Sequence, residues 1–374
     1  MPDRSRIDSH KMMFHPEWVS RWKKARNDWE KAKTLYPLYL EITPAGGCNH
    51  RCAFCALDYV GYKPDFLNQS TLEKALVDMV EGGVKAVMYA GEGEPCLHPK
   101  LAEIIKRTKE VGIDVALTTN GSAMNSKFLG KALEHISWIK VSIDAGTEET
   151  YLKIHRPGSK KDWERVFANL EEAVCLKRKH GYGCWIGGQA LLLPQSLYKN
   201  GDIIPGNADE MVILAKKLKK IGADAFVIKP YSHQPLSITK SYEKVAYNDY
   251  SRLEKELRKL ETSNFKIEFR SRTMNKYGEE RPYCFCMATP FAWAYIMADG
   301  SVYSCSIYLT DPKFCLGNIN EQSFKEIWEG ERRRKHWEFM KNFDAGNCRK
   351  NCRMDEVNRY LREIIYPPYN ANFI

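Results

Sequence analysis

The residues best suited to chemistry in this chain are three cysteines in Gly47-Cys48-Asn49-His50-Arg51-Cys52-Ala53-Phe54-Cys55, separated by three residues and then by two. Thiolates spaced this way on one short loop suit a metal. They could hold a zinc ion, or three irons of a cubane cluster whose fourth iron stays open to a small molecule. Spacing alone does not choose between the two. The loop directly follows a strand-like run, Tyr39-Leu40-Glu41-Ile42-Thr43, which places it at a strand's carboxyl end. In parallel α/β sheets that edge is where ligands bind.

A second set lies in the last quarter of the chain. Cys286 is followed by thirteen residues, Gly300, four residues and Cys305, and then come Cys348, three residues and Cys352. Four thiolates drawn from a hairpin and a distant loop suit a structural zinc or a fully ligated iron-sulfur cluster. Cys284 is the alternative to Cys286 as the first ligand. The N-terminus, with Arg4, Arg6, Asp8 and Lys11, has no apolar signal core, so a reducing cytoplasm is expected. There, twelve cysteines argue for metal ligation and reactive thiols more than for disulfides.

The elements that position these residues are legible from residue 38 onward. Strand-like runs at Leu40 to Thr43, Ala86 to Ala90, Val115 to Thr119, Ile139 to Ile143, Ile186 to Leu193 and Phe226 to Lys229 alternate with helical patterns. Apolar stripes mark the helices: Leu72, Ala75, Leu76 and Met79; Leu101, Ile104 and Ile105; Trp163, Val166, Phe167 and Leu170; Met211, Leu214, Ala215 and Leu218. Strand-helix alternation implies parallel pairing through right-handed crossovers, hence an α/β fold. Trp18, Trp22 and Trp29 fit one face of an N-terminal helix.

Several strand ends carry small polar groups. The second strand ends Tyr89-Ala90-Gly91-Glu92-Gly93-Glu94-Pro95, where glycines let backbone approach a ligand. The next ends Thr118-Thr119-Asn120-Gly121, and the one after it Val141-Ser142-Ile143-Asp144. Gln189 and Lys229 point to the same cavity, and His155 and Arg156 suit either a carboxylate contact or a surface turn.

Taken together, the three-cysteine loop with an aromatic residue before its third cysteine resembles the radical S-adenosylmethionine (radical SAM) superfamily. Gly91 to Pro95 resembles that family's "GGEP" element, with Glu92 where a glycine is common. Asp299-Gly300-Ser301-Val302-Tyr303-Ser304-Cys305, Leu316-Gly317-Asn318-Ile319 and Ile327-Trp328 resemble its C-terminal SPASM/twitch extension. The resemblance implies a partial (β/α)6 TIM-like barrel with a small C-terminal twitch domain of β-hairpin plus helix. It implies a 4Fe-4S cluster on Cys48, Cys52 and Cys55, S-adenosylmethionine as cofactor, and one auxiliary 4Fe-4S cluster on Cys286, Cys305, Cys348 and Cys352. S-adenosylmethionine contacts are then expected from Gly91, Glu92, Gly93, Glu94, Pro95, Asn120, Ser142, Asp144 and Gln189. A free cysteine serves as hydrogen donor in related epimerases, and Cys96, Cys284 and Cys315 are the candidates; Cys175 is expected to be buried.

The expected organisation is an N-terminal extension over 1–35, the barrel over 36–235, a connection over 236–282, the auxiliary-cluster domain over 283–356 and a tail over 357–374. The expected activity is reductive cleavage of S-adenosylmethionine, with dehydrogenation or epimerisation of a sugar- or cyclitol-type metabolite and an electron donor such as flavodoxin or ferredoxin. A nucleotide or modified DNA base, a peptide, and a zinc-dependent nucleic-acid-binding protein without catalysis are the alternatives. The net charge of +10 and the run Arg332-Arg333-Arg334-Lys335 motivate nucleic acid, although such a run is commonly a solvated helix face. No apolar run approaches the length of a membrane helix.

Overall fold

In the computed structural model, which describes residues 6–247, 249–346, 348–349 and 351–373, ten strands form one sheet. They are β1 (Tyr39–Ile42), β2 (Ala86–Tyr89), β3 (Asp114–Thr119), β4 (Trp138–Ser142), β5 (Trp185–Leu192), β6 (Ala225–Pro230), β7 (Lys266–Phe269), β8 (Trp293–Ile296), β9 (Ser301–Tyr303) and β10 (Cys315–Asn318). Their order is β10-β9-β8-β1-β2-β3-β4-β5-β6-β7. Each step from β8 to β7 is parallel, whereas β8, β9 and β10 pair antiparallel. The sheet does not close on itself among the described residues.

The six strands expected from sequence are all present. Two more extend the parallel run. β7 lies inside the stretch read as a connection and pairs with β6, Ile228 opposite Phe269. β8 belongs to the C-terminal region and pairs with β1, Ile42 opposite Ile296. Both cysteine sets therefore hang from neighbouring strands of one sheet.

The expected stripes pack the outer face of the sheet. Leu72, Leu76 and Met79 of helix Gln69–Gly82, Leu170 of Asp162–His180 and Leu214 and Leu218 of Met211–Ile221 are fully buried against Leu40, Val87, Val115, Ile139 and Ile186. Burying each such side chain stabilises the fold by about 1.5 to 3 kcal/mol relative to exposure. The inner face differs. Along β4, Ile139 and Val141 are buried outward, while Trp138, Lys140 and Ser142 between them stay partly accessible. Thr118, Gln189 and Lys229 repeat this on β3, β5 and β6, so partly accessible polar side chains line the inner face of the sheet.

The N-terminal region forms two helices rather than one. Helix Pro16–Ala25 buries Trp18 and Trp22, and Trp29 opens a separate turn because Asp28 caps it by accepting from the Lys31 amide. Trp22 donates to the carbonyl of Met287 at 3.2 Å, and both tryptophans pack into the core shared with Trp337 and Leu361. The basic run also departs from a single solvated face. Arg333 is fully buried, its guanidinium 4.0 Å from the Trp328 ring centroid and donating to the carbonyls of Ala32, Trp328 and Pro290. It is a structural staple, and the argument for a four-residue nucleic-acid patch loses its centre. Cys175, expected in the core, is exposed because it falls beside the Leu170, Ala173 and Val174 stripe.

Candidate active site

The cysteine loop leaves β1 and folds back against the rim of β2. A Cβ on Gly93 would lie 2.2 Å from the carbonyl oxygens of Ala45 and Gly47, so only glycine allows this approach. The amide of Glu94 donates to the Gly47 carbonyl at 2.9 Å. Glu94 is itself buried, and its carboxylate accepts from the amides of Cys96 (3.0 Å) and Asn120 (2.7 Å) and from the Thr119 hydroxyl. One side chain thus locks the rims of β2 and β3 to each other. Burial raises its pKa above the usual carboxylate range.

Asn120 extends the lock to the cysteine loop, donating through Nδ2 to Asn49 at 2.8 Å. Asn49 donates to the Ser122 hydroxyl at 2.8 Å. His50 is fully buried with Nε2 3.2 Å from Asp162, the first residue of helix Asp162–His180. Burial, and the nearby His155, hold its pKa down to about 4. Arg51 donates back to the carbonyls of Cys48 and His50, and its guanidinium lies 4.1 Å from the Tyr62 ring centroid.

The three thiols lie close enough for their charges to act on one another. Burial, followed by the charge of the other cysteines, raises the pKa of Cys52 far above that of a free thiol, and burial with the nearby Glu94 pushes Cys48 up to about 12. Crowded buried thiolates are stable only when a cation holds them, and a metal displaces their protons outright. Nδ1 of His50 is buried beside them with no protein partner among the described residues. A loop of convergent thiols with an orphaned polar atom at its edge fits an iron-sulfur group.

His155, which the sequence left as either a carboxylate contact or a surface turn, lies fully buried under this loop. Its Nδ1 is 3.6 Å from Sγ of Cys52, and Tyr151 stacks on its ring at 4.3 Å. The helix that carries it, Glu148–His155, is held at its start by Glu210, which accepts from the amides of Gly146 and Thr147 and the hydroxyls of Thr147 and Thr150. No sequence signal links Glu210 or His155 to the cysteines, because 103 residues separate His155 from Cys52.

Asp144, expected to touch the cofactor, is fully buried. Its carboxylate accepts from the Leu191 amide (2.6 Å) and the Ser142 hydroxyl (3.2 Å) and lies 3.1 Å from Nε2 of His155. With both oxygens engaged inside the protein, it positions His155 instead. Ser142 and Gln189 pair across β4 and β5 on the accessible inner face. Glu92 bridges rim to C-terminal region, accepting from the Ala298 amide at 3.2 Å and the Thr43 hydroxyl at 3.5 Å; burial raises its pKa to about 7.

The second set converges as well. Cys286, Cys305, Cys348 and Cys352 line one small cavity of about 30 Å³. Burial, then the charge of Cys352, raises the pKa of Cys305 far above normal, and burial pushes Cys348 up to about 11. The Tyr308 hydroxyl lies 3.4 Å from Sγ of Cys348, and Asn358 donates to Cys286 at 3.4 Å. The Ser304 hydroxyl, next to Cys305, is buried without a partner among the described residues. This donor set fits a fully ligated cluster. Cys284 instead is exposed and opens on two cavities of about 470 and 620 Å³ that do not include the cysteine loop. The two sets are tied by Tyr59, four residues past Cys55, which donates to the carbonyl of Ile307 at 3.1 Å.

Comparison with known proteins agrees with this geometry. The family model described as "Radical SAM superfamily" matches residues 42–185, and that described as "Iron-sulfur cluster-binding domain" (SPASM) matches residues 284–353. The chain belongs to the radical SAM superfamily and carries a SPASM-type C-terminal domain, with a radical SAM 4Fe-4S cluster, S-adenosylmethionine and an auxiliary cluster as its cofactors.

An S-adenosylmethionine-dependent nucleotide dehydratase of Lacinutrix mariniflava is 32% identical over 143 residues, covering 36% of this chain and 29% of that protein. The matched stretch thus spans less than a third of that relative's length. An AdoMet-dependent heme synthase of Methanosarcina barkeri is 24% identical over 319 residues, covering 80% of this chain and 84% of that protein. Among solved structures, SuiB of Streptococcus suis bound to S-adenosylmethionine aligns with a TM-score of 0.64 at 17% identity, covering 92% of this chain and 78% of that one. That likeness is one of fold. No helix among the described residues is long and apolar enough to cross a membrane.

Proposed function

We propose that this radical SAM enzyme abstracts a hydrogen atom from a small polar metabolite held against the inner face of the sheet, and that dehydrogenation or epimerisation of a sugar- or cyclitol-type substrate follows. The observation that carries this reading is the tie between two thiol sets of different ligand number, three on the β1 rim and four flanking the β8–β9 hairpin beside it. When bound, the cluster on Cys48, Cys52 and Cys55 supplies the electron that cleaves S-adenosylmethionine to methionine and a 5'-deoxyadenosyl radical.

The protein's part is position and proton control. Glu94, Asn120 and Asn49 fix the rim to the cysteine loop, and Gly93 brings backbone close to it. Cys286, Cys305, Cys348 and Cys352 would hold the group that accepts the second electron in a dehydrogenation. Epimerisation needs a hydrogen donor instead, and Cys96 fits that role best among the spare cysteines. It sits on the β2 rim, and burial with the neighbouring Glu94 keeps its thiol protonated. Cys315, on β10, keeps its thiol in the hairpin 3.7 Å from the Gly317 carbonyl.

A nucleotide substrate is the second reading, favoured by the nucleotide dehydratase and GTP 3',8-cyclase names of relatives that match the core at 29 to 32% identity. An anaerobic assay with dithionite, or with flavodoxin or ferredoxin as donor, separates the readings. Sugar phosphates, cyclitols and nucleotides are supplied in turn while 5'-deoxyadenosine is measured. Stimulation by a sugar or cyclitol is expected; stimulation by nucleotides alone would replace the first reading with the second.

A further inference from the structure

The four thiols of the second set each accept a hydrogen bond, and the donors are of two kinds. Two are backbone amides two residues beyond their cysteine, Ile307 to Cys305 at 3.5 Å and Met354 to Cys352 at 3.4 Å. His50 does the same for Cys48 at 3.4 Å, so these contacts follow from the turn after a cysteine. The other two are side chains from elsewhere in the chain. Asn358 donates from Nδ2 to Sγ of Cys286 at 3.4 Å, and the Tyr308 hydroxyl lies 3.4 Å from Sγ of Cys348.

Neither side chain is free to turn away. Asn358, buried on helix Asp355–Ile365, accepts at Oδ1 from the amides of Met287 (2.7 Å) and Ala288 (2.8 Å). Exchanging its oxygen and nitrogen would set an NH2 group against two N–H donors, so Nδ2 must face Cys286. The Tyr308 ring is stacked on Phe314 at 4.3 Å and meets Phe343 edge-on at 5.6 Å. A thiolate that ligates iron has no proton, so the hydroxyl is the donor. Trp293, Phe314 and Phe343 line the same cavity as the four thiols, and weak screening there strengthens both contacts. Donors aimed at sulfur stabilise the state with the extra negative charge, which is the reduced one. We propose that Asn358 and Tyr308 are positioning residues that raise the potential of the auxiliary cluster, so that it takes the electron a substrate radical must lose. This deepens the dehydrogenation reading and rests on it. In that step a hydroxyl-bearing carbon, already short of one hydrogen atom, becomes a carbonyl: the O–H bond breaks, a second C–O bond forms, one electron passes to the cluster and the proton leaves to solvent.

The test is an EPR-monitored redox titration of the anaerobically reconstituted full chain, with the auxiliary signal assigned from a Cys52→Ala chain. Tyr308→Phe keeps the stacked ring and removes the donor; Asn358→Asp keeps an acceptor for both amides and turns the donor into a second acceptor. Each is expected to make reduction of the auxiliary cluster about tenfold less favourable, a fall of about 59 mV for a one-electron couple. Iron content and the potential of the cluster on Cys48, Cys52 and Cys55 stay at wild-type values. An unshifted auxiliary potential in either variant at full iron content, or an equal fall in both clusters, would overturn the proposal. If Asn358→Asp holds no auxiliary iron, Tyr308→Phe alone decides. The potentials are read without substrate, so failure of the dehydrogenation reading shows separately, as a product at the substrate's own oxidation state.

Discussion

Nδ1 of His155 lies 3.6 Å from Sγ of Cys52. On the other side of the ring, Nε2 faces the Asp144 amide at 3.0 Å and the Asp144 carboxylate at 3.1 Å. The Asp144 amide donates to Nε2, so the ring proton is on Nδ1 and His155 donates toward the sulfur. Hydrogen bonds to cluster sulfurs favour the reduced cluster and raise its potential.

His155→Phe should therefore lower the potential of the cluster on Cys48, Cys52 and Cys55. A lost preference of about 1.4 kcal/mol between redox states corresponds to about 59 mV for a one-electron couple. His155→Gln, which keeps a donor, should recover part of the shift. An EPR-monitored redox titration reads this directly. Wild-type potential in a His155→Phe protein with full iron content would remove the tuning role and leave only packing against Tyr151.

Glu94→Ala should cost stability before it costs chemistry. It strands the amides of Cys96 and Asn120 and the Thr119 hydroxyl, all currently donating to one carboxylate. Each stranded buried group costs about 1 to 3 kcal/mol, so a loss of about 3 kcal/mol or more is expected. Glu94→Gln, which retains one acceptor oxygen, should lose less. Anaerobic denaturant unfolding of the two variants provides the comparison, and equal losses would mean that the three donors find other partners.

Glu92 predicts a pH dependence with a definite sign. Its pKa rises from 4.5 to about 7 on folding, chiefly through burial. The folded state thus binds the proton more tightly than the unfolded one, so the penalty is absent below pH 4.5, grows as pH rises, and is complete above about 7. The gap corresponds to about 3 kcal/mol at most. Glu92→Gln keeps an acceptor for the Ala298 amide and should be more stable than wild type at pH 8 but equal to it near pH 4. Unfolding free energies measured at both values check this, and a variant less stable at pH 8 would show that the charged carboxylate is favoured where it sits.

These features were unequally legible in the sequence. β1 to β6 stand out because each joins an apolar outer face to a polar end and is followed by a helical stripe, as Ile139 and Val141 are by Trp163, Val166 and Leu170. β7 was hidden because Lys266-Ile267-Glu268-Phe269 alternates like a solvated edge, and β8 because its partner β1 lies more than 250 residues away. Local spacing picks out the cysteine sets, with Cys286 as the first ligand of the second set and Cys284 as its alternative. The contacts under the loop, Cys52 with His155 and His50 with Asp162, depend on how helices close over the rim, and no periodicity reports that.

The assignment of the auxiliary ligands leads to a paired prediction. Cys305 is buried amid Cys286, Cys348 and Cys352, so Cys305→Ala should remove about one cluster's iron, roughly four atoms per chain. Cys284→Ala should leave iron unchanged, because that thiol is exposed while its backbone carbonyl accepts from the Ala345 amide at 2.8 Å. Cys52→Ala provides the contrast: it should abolish 5'-deoxyadenosine formation while the auxiliary cluster remains. Iron and sulfide analysis of the three proteins, prepared together under anaerobic conditions, distinguishes the sets. Loss of iron from Cys284→Ala with retention in a Cys286→Ala control would exchange the two cysteines. Unchanged iron in Cys305→Ala would instead mean that the four thiols converge without holding a cluster, and the second-electron route of a dehydrogenation would fall with it.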